Sequence, residues 1–376
     1  MRRICYISGT RADFGLMRST LQTLRDHPGL AVEVIATGMH LSPFYGETVR
    51  EIEAAGLEVS ARVPVPLEPA TGATMARNIG RMTEAFVDAM EDRRPDLVLL
   101  LGDRGEMLAG AVAGIHLNIP IAHIHGGERS GTVDEPVRHA ISKLSHVHLA
   151  ATQEARERLI RMGEEPAQVH VTGAPGLDGL ANTALPDRAT LAAAHGLDPA
   201  RPFALMIFHP VLQEAASAGD DTRRILRALT EAGVQILALA PNADAGSDGV
   251  RAVLAEAEGR PGLAVRTHLG RPDFIAAMAR ADLMVGNSSA GIIEAASFGT
   301  PVVNVGRRQN LRERNANTAD TAADTAALDA AIRAQLARGR YPANNVYGDG
   351  QAGRRIAAVL ADKTIDSVLM HKVNGY

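Results

Sequence analysis

The chain has 376 residues, a formal net charge of −4, 46% apolar residues and 22% charged residues. That length exceeds one ordinary hydrophobic core, so two soluble globular domains are expected. A weakly acidic chain has no electrostatic reason to bind nucleic acid or an anionic membrane surface, and no apolar run is long enough to span a bilayer. The single cysteine, Cys5, excludes an internal disulfide and a cysteine-based metal site. Met1-Arg2-Arg3 precedes an apolar segment too short for a signal-peptide core, so a cytoplasmic location is expected.

Taken in order, apolar runs alternate with segments of helical periodicity. Strands are predicted over 3–9, 31–37, 59–65, 96–103, 120–125, 147–151 and 169–172, with a turn over 10–15. Between them helices are predicted over 16–26, 45–55, 75–93, 106–117, 135–143 and 154–162. The polar, proline-bearing stretch 176–201, with a helical piece over 189–195, reads as a connection. A second alternation follows, with strands over 203–208, 235–240, 263–267, 281–285 and 301–305, the last closing the sheet. Its helices are predicted over 221–232, 249–258, 272–279, 292–298 and 326–338, and a last helix begins at 351. Strands alternating with helices predict an α/β fold of two Rossmann-like, doubly wound parallel sheets facing across a cleft. The expected domains are 1–180, 181–350 and a C-terminal helical segment 351–376 able to pack on either.

Ligands of open α/β sheets bind beyond the carboxyl ends of strands, and the promising side chains stand there. Arg11 and Asp13 follow the first strand, Asp103 and Arg104 the fourth, Glu128 and Asp134 the fifth, and His209 the first strand of the second half. Three carboxylates and a histidine form an acid–base set if those strands converge. In Val285-Gly286-Asn287-Ser288-Ser289-Ala290-Gly291-Ile292-Ile293-Glu294, a strand passes into a helix that Ser288 or Ser289 can cap, leaving free N–H groups for an anion such as phosphate. Glu294 falls about a turn and a half into that helix, where it can accept hydrogen bonds from vicinal hydroxyls. A capped helix with a solvated Glu accounts for the stretch equally well.

The first turn lacks Gly-x-Gly-x-x-Gly, so a nicotinamide cofactor is not expected, and there is no P-loop or nucleophile elbow. His123, His125 and Glu128 are metal-ligating types at strand spacing, but a strand end shaped for a polar substrate accounts for them too, and no metal or other cofactor is assigned. His146 and His148 read as structural.

Seven stretches, in order, resemble one family. They are Gly9-Thr10-Arg11-Ala12-Asp13-Phe14-Gly15; Gly102-Asp103-Arg104 with Glu106; His123 to Glu128; Asp134 to His146 around Arg138; Gly173 to Asp178; His209-Pro210-Val211; and Gly286 to Glu294. The family is that of the hydrolysing UDP-N-acetylglucosamine 2-epimerases of sialic-acid and related nonulosonic-acid biosynthesis, and the resemblance covers nearly the whole chain. It implies a GT-B-like pair of Rossmann domains with a UDP- or GDP-linked sugar in the cleft. The implied reaction eliminates the nucleoside diphosphate to a glycal, then adds water with inversion at C2. The sugar and acid–base chemistry would lie on the N-terminal domain and the nucleotide on the C-terminal one.

By the same resemblance Asp103, Glu128 and Asp134 are acid–base candidates, with the C2 base left open, and His209 assists departure of the diphosphate. Arg11 and Ser288-Ser289 would hold the diphosphate, with Arg312 near the phosphates and Glu294 on the ribose, and Gly15 and Gly291 would also be nucleotide-binding. Arg138 is either a substrate contact or an ion-pair partner of the carboxylates. The Asn310-Leu311 step before Arg312 departs from the small residues usual there and bears on sugar or nucleotide preference. A homodimer or homotetramer is implied. The competing readings are a non-hydrolysing 2-epimerase, a GT-B glycosyltransferase and a silent nucleotide-sugar sensor.

Overall fold

Ile4-Cys5-Tyr6-Ile7 is wholly buried, and around this run the first sheet is laid down. The computed structural model describes residues 1–180 and 183–375; Ala181 and Asn182, at the expected boundary between domains, and Tyr376 lie outside the described residues. Seven strands form the first sheet: β1 (Arg2–Ser8), β2 (Leu30–Thr37), β3 (Glu58–Val63), β4 (Leu97–Leu101), β5 (Ile121–Ile124), β6 (Val147–Ala150) and β7 (Val169–Val171). Six form the second: β8 (Phe203–Ile207), β9 (Gln235–Leu239), β10 (Leu263–Arg266), β11 (Leu283–Gly286), β12 (Val302–Val305) and β13 (Thr318–Thr321). The orders are β3-β2-β1-β4-β5-β6-β7 and β10-β9-β8-β11-β12-β13, and every pairing is parallel.

Parallel strands joined by helical crossovers are covered on both faces, which is why runs such as Leu97–Leu101 are apolar without alternation. Each sheet packs a core on either side. For the first these centre on Tyr6, Met17 and Leu99 and on Ile7, Phe86 and Leu100; for the second, on Ile225, Ala238 and Val303 and on Leu205, Leu237 and Met278. The helix Ala352–Asp362 buries Ala352, Ile356, Ala357 and Leu360 in the first sheet's core beside Leu21 and Leu24. The guanidinium of Arg2 donates to the Leu360 carbonyl beneath it. Among the described residues no helix is long and apolar enough to cross a membrane.

Three local expectations change. The first helix begins at Arg11 rather than 16, because Thr10 caps it: its hydroxyl accepts from the Asp13 N–H at 3.1 Å while the Asp13 carboxylate accepts from the Thr10 N–H at 2.7 Å. Asp13 is therefore buried in a capping box. The α-helix after β11 covers only Ser289–Ile293, then tightens into a 3₁₀ turn over Ala295–Phe298 and stops at left-handed Gly299. The 301–305 strand does not close the second sheet; β13 does. Its Thr-Ala-Asp-Thr sequence is half-exposed at the edge, with no apolar run to announce it.

Candidate functional site

In both sheets the strand order reverses beside the first strand, between β1 and β4 and between β8 and β11. A crevice opens at such switch points because successive crossovers leave on opposite faces. The loops after β1, β4, β8 and β11 carry Thr10-Arg11, Asp103-Arg104, His209-Pro210 and Asn287-Ser288, and both sheets contribute these residues to shared cavities. Gly286 is required where β11 passes β8. Its φ is 137°, and a methyl group there would sit 1.9 Å from the Ile207 carbonyl oxygen. Asn287 then fastens the two loops, accepting from the His209 N–H at 2.7 Å and donating to the His209 carbonyl at 2.8 Å.

One cavity, of about 290 Å³, lies on the carboxylate side. Its walls include Asp103, Arg104, Glu106, Asp134, Asp244 and Arg308. Arg138 lies beneath it with no exposed surface, ion-paired with Asp103 and donating to the Glu128 carbonyl at 3.1 Å. Of its two possible roles this geometry supplies the ion-pair partner, since a side chain without exposed surface has no face to offer a substrate. Burial pushes Asp103 up, but Arg138, Arg312 and Arg308 outweigh it and hold the carboxyl below its ordinary value. Asp134 moves the other way: burial and the neighbouring Asp103 charge raise it, and Arg308, 3.7 Å away, only partly opposes them. Two adjacent carboxyls are thus driven apart, one held ionised and the other made more basic. Glu128 is also buried, gripped by the His125 imidazole and the Arg312 guanidinium, and lines neither cavity.

A second cavity, of about 190 Å³, lies on the other side of the β8 loop. Arg11, Gly15, His209, Ser288, Ser289 and Glu294 all line it. Ser288 caps its short helix, accepting from the Ala290 N–H at 3.3 Å. Arg11 pairs with Glu51 through one nitrogen, while its buried Nε and other terminal nitrogen have no hydrogen-bond partner among the described residues. Glu294 is buried and lies 2.6 Å from Arg271. His209 stands at the junction, for Pro210 and Val211, next in the chain, line the first cavity. Burial lowers the imidazole to about 3, with Arg308 adding to the effect, so it is neutral near pH 7; its Nδ1 has no partner among the described residues.

Two members of the expected nucleotide set lie elsewhere. Gly291 faces the sheet, where a side chain would press on Val302 at 3.1 Å, and it lines neither cavity. Arg312 reaches across to Glu128 and, at 3.9 Å, to Asp103, and so belongs with the carboxylates. Three residues not singled out in the sequence, Arg308, Arg271 and Asp244, join the site instead, together with the strand-end Arg104. Arg308 donates to the Asn287 carbonyl at 3.1 Å and faces Asp134, Arg271 holds Glu294, and Arg104 bridges the cleft to Asp244 at 3.2 Å. Arg308 lies four residues before Arg312 in a loop with three other arginines, and the sequence did not say which would face the cleft. His123 and His125 do not form a metal-type cluster with Glu128. The buried His123 bonds Ser142 and the Gly102 carbonyl, and the His125 ring, among the described residues, bonds only Glu128.

The family model for UDP-N-acetylglucosamine 2-epimerases matches residues 22–361. The chain belongs to that family. Within it, the chain is 45% identical over all 376 residues, and over the whole relative, to a UDP-N,N'-diacetylbacillosamine 2-epimerase (hydrolyzing) of Legionella pneumophila. It is 31% identical to a GDP/UDP-N,N'-diacetylbacillosamine 2-epimerase (hydrolyzing) of Campylobacter jejuni, covering 85% of this chain and 84% of the relative. Among solved structures, the UDP-N-acetylglucosamine 2-epimerase of Neisseria meningitidis bound to UDP-GlcNAc superposes with a TM-score of 0.80. That match covers 96% of this chain and all of the other at 17% identity, and shows a shared two-sheet fold.

Proposed function

We propose that this 2-epimerase is hydrolysing, converting a nucleotide-linked 2-acetamido sugar of gluco configuration into the free manno-configured sugar and a nucleoside diphosphate. The observation that carries the reading is the junction at His209, where a cavity with a raised carboxyl meets one lined by cation and serine. An elimination needs both at adjoining atoms. The C2 proton is weakly acidic, so a base must take it while the C1–O electron pair leaves on the diphosphate.

Asp134, the carboxyl raised by burial, takes the C2 proton. Asp103, held ionised by Arg138, keeps Asp134 basic and orders the water that later adds to C1. Arg11, Arg308 and the Ser288-Ser289 turn receive the diphosphate charge, with the neutral His209 as hydrogen-bond donor at the bridging oxygen. Glu294, fixed by Arg271, takes the ribose hydroxyls. In the addition step water's oxygen bonds C1 and a solvent-derived proton reaches C2 on the face opposite Asp134, which gives the inversion; Glu128, which lines neither cavity, holds Arg312 beside Asp103. Residues 1–180 carry the sugar side and 181–350 the nucleotide side, and the helix Ala352–Asp362 packs with the first.

The sugar carries a second acylamino group. The relatives named for diacetylbacillosamine support this, as does the far wall of the first cavity, built from Val65, Leu67, Met75, Ile79 and Met82. Asn78 on that wall already donates to the Pro66 carbonyl at 2.6 Å, and the Thr71 and Thr74 hydroxyls lie 3.0 Å from each other. The wall therefore meets methyl groups better than hydroxyls. The enzyme acts as a soluble cytoplasmic homo-oligomer in nonulosonic-acid biosynthesis.

The test is an NMR time course in D₂O with UDP-N-acetylglucosamine and with UDP- and GDP-linked 2,4-diacetamido sugars. A free manno-configured sugar bearing deuterium at C2 is the expected product. An intact nucleotide sugar of inverted configuration would instead mark non-hydrolysing epimerisation, and inertness toward all of them would defeat the reading.

A further inference from the structure

The chain has only three lysines, Lys143, Lys363 and Lys372, against three dozen arginines. Two of the three converge on one buried carboxylate, Glu164, which lines neither cavity. Glu164 Oε1 lies 2.7 Å from Lys143 Nζ, and its Oε2 lies 2.6 Å from Lys372 Nζ and 2.7 Å from His148 Nε2. Burial opposes ionisation of Glu164, but the His148 and lysine contacts prevail and hold it at about 2.

Lys372 also reaches three backbone carbonyls, those of Ser142 at 3.1 Å, Lys143 at 2.9 Å and Ser145 at 2.5 Å. These carbonyls lie at the C-terminal end of the helix Asp134–Leu144, where, among the described residues, only the Ser142 carbonyl also accepts from a backbone N–H, that of Ser145 at 3.1 Å, and a cation meets the negative end of the dipole. The three N–H donors of a compact ammonium are shared among these three carbonyls and Glu164 Oε2, a clustered set of acceptors that a planar guanidinium fork does not suit. The surrounding tail is docked as well, with the Gly375 N–H on the Gly163 carbonyl at 2.9 Å and Asn374 Oδ1 on Lys143 at 2.5 Å.

The clamped helix is the one that carries the chemistry. Asp134 is its first residue, Arg138 lies one turn on, and Ser142 lies one turn further. The Ser142 hydroxyl is 3.1 Å from His123 Nδ1, whose Nε2 lies 2.7 Å from the carbonyl of Gly102, the residue before Asp103. His123 is also the cross-strand neighbour of His148. A contiguous set of bonds therefore joins Lys372 to the backbone and side-chain supports of both carboxyls.

We propose that Lys372 is a positioning residue for the reaction: by tying the tail to the end of the helix Asp134–Leu144 and to Glu164, it fixes where Asp134 and Arg138 stand in the cleft. The inference rests on the 2-epimerase reading. A misplacement of about 1 Å in a reacting group costs up to a hundredfold in rate, whereas the nucleotide cavity is built by other elements.

The test compares the full-length enzyme with Lys372→Met, and with Lys363→Met as a control in the same tail. For each, kcat and KM are measured with the sugar nucleotide turned over by wild type, UDP affinity by calorimetry, and Tm by scanning calorimetry. Lys372→Met is expected to lose kcat by about tenfold or more, with UDP affinity within about twofold and the control unaffected. An unchanged kcat, or a parallel loss of kcat and UDP affinity, overturns the proposal. If Lys372→Met does not fold, Lys372→Arg keeps the charge opposite Glu164 without the three convergent bonds, and full kcat in that variant is equally fatal. A wild type inert toward every nucleotide sugar fails the 2-epimerase reading and takes this inference with it; an active wild type with an indifferent Lys372→Met fails this inference alone.

Discussion

Arg138→Met removes a guanidinium without opening a large cavity and leaves Asp103 short of its principal partner. Breaking a buried ion pair from one side costs about 3–5 kcal/mol. The Asp103 side chain keeps 19% of its surface exposed and Arg312 remains at 3.9 Å, so the lower end, about 3 kcal/mol, applies. At about 2–4 °C per kcal/mol for a unit of 150–250 residues, Tm should fall by about 6–12 °C. The sign with pH is diagnostic. In wild type the depressed Asp103 carboxyl contributes stability above its unfolded value of about 3.9, and acidification removes it. In Arg138→Met the carboxyl is raised, so the destabilisation is greatest near pH 7 and shrinks as pH falls through the raised folded value. Urea unfolding at pH 7 and pH 5 measures both, and Arg138→Met/Asp103→Asn should recover more than half of the loss. A loss under 1 kcal/mol at pH 7, or a double variant no better than the single, would refute the assignment of Arg138 as the partner of Asp103.

Asp134→Asn should lower kcat by about 10²–10⁴-fold with UDP affinity retained, measured by steady-state kinetics and calorimetry. Because burial and Asp103 raise Asp134, the acidic limb of kcat/KM in wild type should lie above the ordinary carboxylate range, activity falling as pH drops through it, and the pH–rate profile checks this directly. Gly286→Ala should prevent β11 from pairing normally with β8, since its methyl would lie 1.9 Å from the Ile207 oxygen; loss of soluble folded protein by circular dichroism is the expected result.

The strands of the first sheet were legible because a parallel sheet covered on both faces demands unbroken apolar runs, and Leu97–Leu101 is such a run. The strand-end position of Asp103, Asp134 and His209 followed from the same pattern. What escaped depends on which side chain turns toward which. Thr10 and Asp13 are the reciprocal pair of a capping box, but Gly15 nearby favoured a turn, and the helix start was set five residues late. Arg308 and Arg312 share one loop, and only its path separates them. A side chain on Gly131 would lie 2.2 Å from the Arg307 carbonyl, so the loop after β5 lies against this one and sends Arg312 to Glu128 and Arg308 to Asp134. That contact joins residues about 180 apart, and no local periodicity encodes it.

The charges divide unevenly between the sheets, and the division bears on mechanism. Asp103, Glu128 and Asp134 come from the first, as does Arg138, whereas Arg308 and Arg312, which add to their electrostatics, come from the second. Arg104 and Asp244 cross the cleft in the reverse sense, and Arg271 donates back to the Gly176 carbonyl at 2.7 Å. Neither half therefore contains a complete acid–base site. Asp134 is raised by burial between the halves, and separating them would return water to it and bring it toward an ordinary carboxyl. On the proposed mechanism, apposition of the sheets is therefore part of what keeps Asp134 basic. The same apposition would shield the glycal of the proposed mechanism from bulk water, so the arrangement that raises Asp134 would also protect the intermediate.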